Sequence, residues 1–350
     1  MAGNLDLPKQ TLEILDKLGS RGYDAYVYGK CARTLLKGRS LLDFDIIANA
    51  GLDRIRAIFD GYKVIEDNLD KGELIVTVLG VSAGIKPYAD LREKLSESAF
   101  TVDAIAYSPE KGFKDPFGGL KHMEEGVAAF TPNSAKPENI LPALAWYSEE
   151  DYTVAPETKE AIFGLVPDLA GVRPAFMRGD FERVVLGKKA GAVLDEYAEV
   201  FFALIPELEP VRDYEDFLPR AFKSVGSSAP LLPLRLSLLF CELGKPDCCS
   251  RDSDGGARYL GHVERARIYA ERIMARFGYS REEIKEVGYI IENRDRVSDA
   301  DDGDIKDLLK EHSVERLKAL LLFKCAESRA KKSREAEHDA LRYKRLAERL

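Results

Sequence analysis

Gly29-Lys30-Cys31-Ala32-Arg33-Thr34-Leu35-Leu36-Lys37-Gly38-Arg39, followed by Asp43-Phe44-Asp45, is the stretch whose reading decides the fold. A β-rich run from Tyr23 to Tyr28 precedes it, so the order is strand, glycine turn, short basic helix over 30–36 and second strand over 44–48. Strand residues two apart share a face, which sets Asp43 and Asp45 side by side while Phe44 and Ile46 turn to the core. Two adjacent carboxylates repel, and burying them without a cation raises at least one pKa. A divalent metal resolves that conflict, and magnesium suits one or two carboxylates completed by phosphate oxygens. The Gly29 turn opens a helix whose N–H groups can face phosphate, with Lys30, Arg33, Lys37 and Arg39 adding positive charge. Asp43 and Asp45 are therefore the candidate metal-binding and catalytic pair, and Gly29, Lys30 and Arg33 the candidate nucleotide-binding residues. A DxD pair alone is also compatible with a solvated strand edge.

Outward from this stretch, residues 8–20 read as an amphipathic helix on Leu12, Leu15 and Leu18, stopped by the Gly19–Gly22 loop. A helix over 52–59, a strand over 62–66, a hairpin of 73–79 with 81–86 meeting at Gly80, and a strand over 100–107 follow. The first unit is thus α+β, a mixed sheet of about five strands with helices. Beyond Phe130 strand signals vanish. Helical periodicities run over 157–165, 178–187, 190–205, 262–277 and 281–292, and from Val314 onward. Pro137 and Pro142 argue against a long helix over 133–146. The acidic run 299–304 reads as a solvated loop capping a helix at Ile305. The division expected is a head over 1–130, an all-α neck over 131–216, and an all-α body and tail over 217–350.

The chain has 350 residues, 45% apolar and 32% charged, with a formal net charge of -8. That balance excludes a surface wholly coated for nucleic acid but leaves room for a local basic face. From Glu315 to Leu350 there are eleven lysines and arginines against six aspartates and glutamates, which predicts a basic stripe on the last helix. Lys331, Lys332 and Arg334 are its candidate RNA contacts, with a solvated, ion-paired face as the equal alternative. Five cysteines without CxxC spacing suggest free thiols, and four histidines limit any histidine-rich metal centre. No apolar run spans a bilayer and no leader-like N-terminus is seen, so a cytoplasmic location without membrane contact is expected. Trp146 and Tyr147 read as core residues before they read as a base-stacking platform.

Together these motifs resemble the class II tRNA nucleotidyltransferases, the CCA-adding enzymes, and the related bacterial poly(A) polymerases. Their head pattern, GG-x-VRD-x-LLG followed by DxD, is similar to Gly29–Gly38 with Asp43 and Asp45. Their RRDFTINALAY is similar to Phe100-Thr101-Val102-Asp103-Ala104-Ile105-Ala106-Tyr107, followed here by Asp115-Pro116-Phe117-Gly118-Gly119-Leu120. Phe181–Gly187 and Ile205–Leu208 are similar to neck and body segments. The resemblance implies a polymerase-β-like nucleotidyltransferase head, magnesium at Asp43 and Asp45, a nucleoside triphosphate, and RNA, tRNA or tRNA-like, as partner.

The departures fall on working positions. Lys30 replaces the second glycine of the turn, and Thr34 the aspartate after Arg33. Glu97-Ser98-Ala99 stands where the family has RRD, which removes cations and adds a repelling charge. Ala135–Pro142 aligns with the base-reading EDxxRxxR, where Lys136 and Asn139 cannot reproduce the donor and acceptor pattern and Pro142 disfavours the helix. A further acidic strand position is lost in Gly84-Ile85-Lys86. In the body, Leu238–Pro246 resembles the LLHDIGKP motif of HD-type hydrolases, with Cys241-Glu242 in place of His-Asp and only His262 and Asp295 left as ligands. Three readings stay open: an RNA-binding protein that has lost CCA addition, a magnesium-dependent nucleotidyltransferase of altered nucleotide choice, and a helical scaffold for protein partners.

Overall fold

The computed structural model describes residues 5–65, 72–214, 216–331 and 333–350. It divides into two compact units, Met1–Asn139 with Thr153–Lys159, and Ile140–Tyr152 with Glu160–Leu350.

The first unit is built on a mixed sheet of seven strands: β1 (Ala25–Tyr28), β2 (Asp43–Ala48), β3 (Lys63–Ile65), β4 (Leu74–Val78), β5 (Val81–Pro87), β6 (Ala106–Ser108) and β7 (Gly112–Lys114). Their order is β3-β4-β5-β2-β1-β6-β7, and β2 with β5 is the parallel pair. Helices α1 (Lys9–Gly19), α2 (Gly29–Leu36), α3 (Leu52–Ile58), α4 (Leu91–Ser96) and α5 (Gly119–Glu125) surround it. On one face Ile14, Leu15 and Leu18 of α1 and Ile55 and Ile58 of α3 join Phe44, Ile46, Val76 and Ile85 in the main core. On the other, Tyr26, Ile47 and Ala106 pack with Leu95 of α4. That second face is covered at Ile47 and open at Asp43 and Asp45, and this is how the site is exposed.

One local expectation is revised. The strand read over 100–107 is a 3-10 turn over Thr101–Asp103 and becomes strand at Ala106. Its cause lies in packing: a Cβ on Gly119 would fall 2.0 Å from the Thr101 carbonyl oxygen, so α5 seats directly on that turn. The Ser108–Gly112 segment closes a hairpin and adds β7, with Gly112 at φ +64°. Position 66, the end of the third predicted strand, lies outside the described residues.

The second unit is helical: α6 (Ile140–Glu149), α7 (Pro156–Leu165), α8 (Pro174–Leu186), α9 (Ala190–Glu196), α10 (Ala198–Leu204), α11 (Phe217–Ser227), α12 (Leu232–Phe240), α13 (Lys245–Cys248), α14 (His262–Arg276), α15 (Arg281–Asn293), α16 (Ile305–Glu311), α17 (Val314–Ala330) and α18 (Arg334–Glu348); α7 begins within the first unit's Thr153–Lys159 segment. Pro142 does not prevent α6, because it sits in the first turn, where a missing N–H breaks no intrahelical bond. Strand is not absent beyond Phe130: Thr153–Val154 pairs with Val127–Ala128, and Cys249–Arg251 with Ala257–Tyr259. Asp304 is the N-cap of α16, but its carboxylate accepts from the Asp301 N–H instead of capping the helix.

Residues 314–350 form two helices, because Lys331 turns extended and Ser333 caps α18 through the Ala336 N–H. Much of the predicted basic stripe is neutralised there: Arg345 and Arg349 meet Asp302, Arg342 meets Asp339, and Lys344 meets Glu348. Trp146 is a core residue, edge-on to Tyr152, and Tyr147 donates to Glu196. No helix among the described residues is long and apolar enough to cross a membrane.

Candidate functional site

Strand β2 alternates as expected, with Asp43 exposed, Phe44 buried, Asp45 half-buried and Ile46 buried. The β5 register sets Ser82, Gly84 and Lys86 opposite Asp43, Asp45 and Ile47. Beneath the pair, the buried Cys31 thiol donates to Asp45 Oδ2 at 3.4 Å, and its sulfur accepts the Asp45 N–H at 3.2 Å. Burial, helped by the Asp45 carboxylate, pushes that thiol up to about 12, so it stays a neutral donor.

Beside Asp45, the missing side chain of Gly84 is the decisive detail. A Cβ there would lie 1.8 Å from Glu73 Oε1, so the Glu73 carboxylate lies across the bare backbone opposite Asp45. Lys86 Nζ stands 3.6 Å from Glu73 Oε2 and hydrogen-bonds Tyr28. Burial pulls the Lys86 ammonium down, yet Tyr28, Glu73 and Asp45 outweigh it and leave its pKa raised. The position where a strand carboxylate was expected thus holds a carboxylate from the edge of β4 and a resident ammonium.

Two of the three candidate nucleotide-binding residues, Gly29 and Arg33, are engaged within the chain. Gly29 takes φ +67° and its N–H is spent on the Ile105 carbonyl at 3.0 Å. Lys30 is exposed on the first turn of α2. Arg33 Nε binds Asp103 Oδ1 at 2.6 Å, both side chains being mostly buried. Burial raises the Asp103 carboxyl, with Arg33 opposing. Asp103 occupies the place of the asparagine in RRDFTINALAY, so the arginine of the glycine turn has gained an internal anion. Ser98 donates to the Asp103 carbonyl, and Glu97 pairs with Lys94 at 2.6 Å. Glu93, Glu97, Lys136 and Asn139 line one cleft of about 290 Å³, which collects two of the altered motifs.

The structure therefore brings Gly29, Lys30, Arg33, Asp43 and Asp45 to one end of the sheet. Lys331 and Arg334 belong to the second unit, and Lys332 lies outside the described residues. Sequence reasoning missed Glu73 and the roles of Cys31 and Asp103. The usable signal was Gly84, a bare position on a face lined by charge.

Magnesium is implied by the resemblance, but this donor set does not fit it. Among the described residues no three His, Cys, Asp or Glu side chains converge to hold a metal ion. The charge that a divalent ion would neutralise is already met by Lys86, and Asp45 accepts from a thiol that does not ionise at neutral pH.

The body motif repeats this chemistry. His262 Nδ1 donates to the Tyr259 carbonyl at 2.6 Å, and its Nε2, the atom a metal would need, accepts from buried Arg294 at 3.0 Å. Lys324 reaches Asp295 at 2.7 Å and Glu327 at 3.0 Å, and Lys245 pairs with Glu242 while lying 3.4 Å from the Phe217 ring centroid. Two guanidinium and ammonium groups thus hold the two surviving ligand positions, and no hydrolase metal fits there either. Burial, with Arg294 adding to it, lowers the His262 pKa against its carbonyl hydrogen bond. The unfolded chain protonates this histidine near 6.5 and the folded one only at lower pH, so stability is lost as pH falls through 6.5. His312 is lowered by burial as well. Thermal melts at about pH 7.5 and about pH 5.5 should show the acid loss, and His262→Gln should reduce it; an unchanged difference would refute the assignment.

A seven-stranded mixed sheet carrying a DxD strand after a glycine turn, followed by a helical unit, defines a nucleotidyltransferase-type head on a helical body. No family model matches the chain. It is 28% identical over 217 residues to a CCA-adding enzyme of Bacillus licheniformis, covering 55% of this chain and 54% of that one. It is 24% identical over 262 residues to poly(A) polymerase I of Salmonella typhi, covering 64% and 53%. The chain spans about half the length of the curated relatives it matches. Its fold is that of the Bacillus stearothermophilus CCA-adding enzyme solved with CTP (TM-score 0.61, 21% identity, covering 98% of this chain and 82% of that one). It matches the Thermotoga maritima CCA-adding enzyme solved with tRNA to the same degree (TM-score 0.61, 16% identity, 96% and 81%). The chain is thus similar in sequence and in fold to members of the tRNA nucleotidyltransferase and poly(A) polymerase family.

Proposed function

We propose that this chain is an RNA-binding member of the family, acting on tRNA or tRNA-like 3′ ends, in which template-directed CCA addition has been lost. The observation that carries the reading is the Arg33–Asp103 pair. A mostly buried arginine already matched by a carboxylate gains little by exchanging it for a phosphate, since the abandoned Asp103 would be left unpaired in a buried place. Lys86 beside Asp45 and the acidic cleft at Glu97 support the same conclusion. The cytoplasm, where tRNA is processed, is the expected location, and a neck ending near 216 with a body beyond it is the division we carry forward.

A second reading, magnesium-dependent transfer with altered nucleotide choice, is favoured by one observation: Asp43 and Asp45 still share an open strand face. One assay separates the two. Purified protein, magnesium, each of the four labelled nucleoside triphosphates and a tRNA lacking its 3′ end should give only background incorporation, with Asp45→Ala no different. The same tRNA should bind, and binding should weaken steeply with salt. Incorporation above background that Asp45→Ala abolishes would establish the second reading instead, and failure to bind any RNA would leave a helical scaffold.

A further inference from the structure

We infer that the RNA backbone is held on the second unit by a lysine-lined track that runs across α11, from Lys188 and Lys189 through Lys223 to Lys331 and Arg334; this rests on the RNA-binding reading above. The track begins at a cavity of about 610 Å³ whose walls include Lys188, Lys189, Lys223, Phe222 and Gly226. Two glycines open it. A Cβ on Gly191 would fall 2.5 Å from the Phe222 carbonyl oxygen, so α9 and α11 meet backbone to backbone there, and no side chain at the crossing fills the groove.

Lys223 then ties this groove to the turn between α17 and α18. Its Nζ donates to the Ala330 carbonyl at 3.2 Å, and Arg329 Nη1 returns a bond to the Ser227 carbonyl at 3.3 Å. Lys331 follows at once, on the rim of the neighbouring cavity with Arg220, and Arg334 opens α18. The hydrogen bonds of Lys223 and Arg329 are to carbonyl oxygens, which fix position without neutralising charge. Lys188, Lys331 and Arg334 form no ion pair among the described residues. Lys189 has a carboxylate only at 3.8 Å, from Asp151. Asp195 on the groove wall, Glu327 near Lys331, and Glu335 and Glu337 in the first turn of α18 beside Arg334 are the opposing charges, and Glu327 is held by Lys324.

On a chain of net charge -8 this is a positive line whose one ion pair among the described residues is the long contact of Lys189 with Asp151, whereas the cations further along α18 are matched by Asp302, Asp339 and Glu348. A row of cations spread over two helix crossings fits a repeating phosphodiester chain better than a single small anion. Its sequence reading is correspondingly nil, so it positions an RNA and leaves discrimination to other surfaces.

The test is a fluorescence anisotropy titration of a labelled tRNA transcript lacking its 3′ end, at several salt concentrations, with the full chain. Lys223→Glu with Lys331→Glu should weaken binding by about tenfold or more and flatten the log–log salt slope by about 2. Lys344→Glu, at an exposed and ion-paired position of α18, should leave both unchanged. Lys223→Ala and Lys331→Ala, singly, should each give a smaller loss while the thermal melt stays that of the native protein, which separates charge from misfolding. If tRNA binds the wild type and the double variant alike, the track is refuted and the RNA reading survives. If the wild type binds no RNA, both fall; if excess poly-glutamate displaces the tRNA at equal charge, the surface is for an acidic protein and the phosphodiester assignment is overturned.

Discussion

Arg235→Met should destabilise the helical unit by about 3 to 5 kcal/mol, among the largest effects of any single substitution in this chain. Arg235 is 3% exposed and faces no carboxylate among the described residues. Its guanidinium donates instead to the carbonyls of Val185 and Gly187 at the end of α8, and of Ser228 and Ala229 before α12. Burial alone lowers its pKa. Four carbonyls from two stretches of chain converge on one fork, and methionine would fill the volume while leaving them unmet. Lysine keeps the charge but loses the planar fork, so Arg235→Lys should recover only part of the loss. The chain's single tryptophan, Trp146, lies in this unit and reports its urea unfolding directly. A midpoint for Arg235→Met within error of the wild type would show that the four bonds are not holding α8 to α12.

The other large effect expected is a gain. Lys86→Ala should bind manganese, used as a spectroscopic substitute for magnesium, about 10- to 100-fold more tightly than the parent chain, the range left after screening at a partly exposed site. The reason is electrostatic: removing the ammonium leaves the Asp45 and Glu73 carboxylates facing one another across Gly84 with nothing between their charges. Adding Asp45→Asn to Lys86→Ala should cancel the gain. Superimposable manganese titrations of parent and Lys86→Ala would mean that Lys86 does not guard this site.

How much of this was legible beforehand follows from the range of each interaction. The β2 alternation could be read because a period of two residues and two fixed charges are local facts, and the helix after Gly29 because a turn glycine and an apolar periodicity are too. The turn at Thr101–Asp103 could not, since a β-rich run was overruled by the close seat of Gly119 on its carbonyl. Pro142 was misjudged because its effect depends on where the helix starts, a boundary that pattern fixes poorly. The charges were all visible, but their partners were not: Arg33 and Asp103 are 70 positions apart, and Lys324 and Asp295 are 29. Composition counted the cations of the last helix without showing that Asp302, two helices earlier in the chain, takes two of them.

The ammonium of Lys86 and the guanidinium of Arg294 differ from any dissolved ion in one respect. Being tethered, each is present at an effective concentration fixed by the fold and cannot be diluted, exchanged or stripped by a competing ligand. A centre held by a free cation gains stability with the logarithm of that cation's concentration, whereas one held by a side chain gains the same amount in every medium. The two charge clusters of this protein are thus uncoupled from the ionic supply around them, and their state is written once, at synthesis, into the chain.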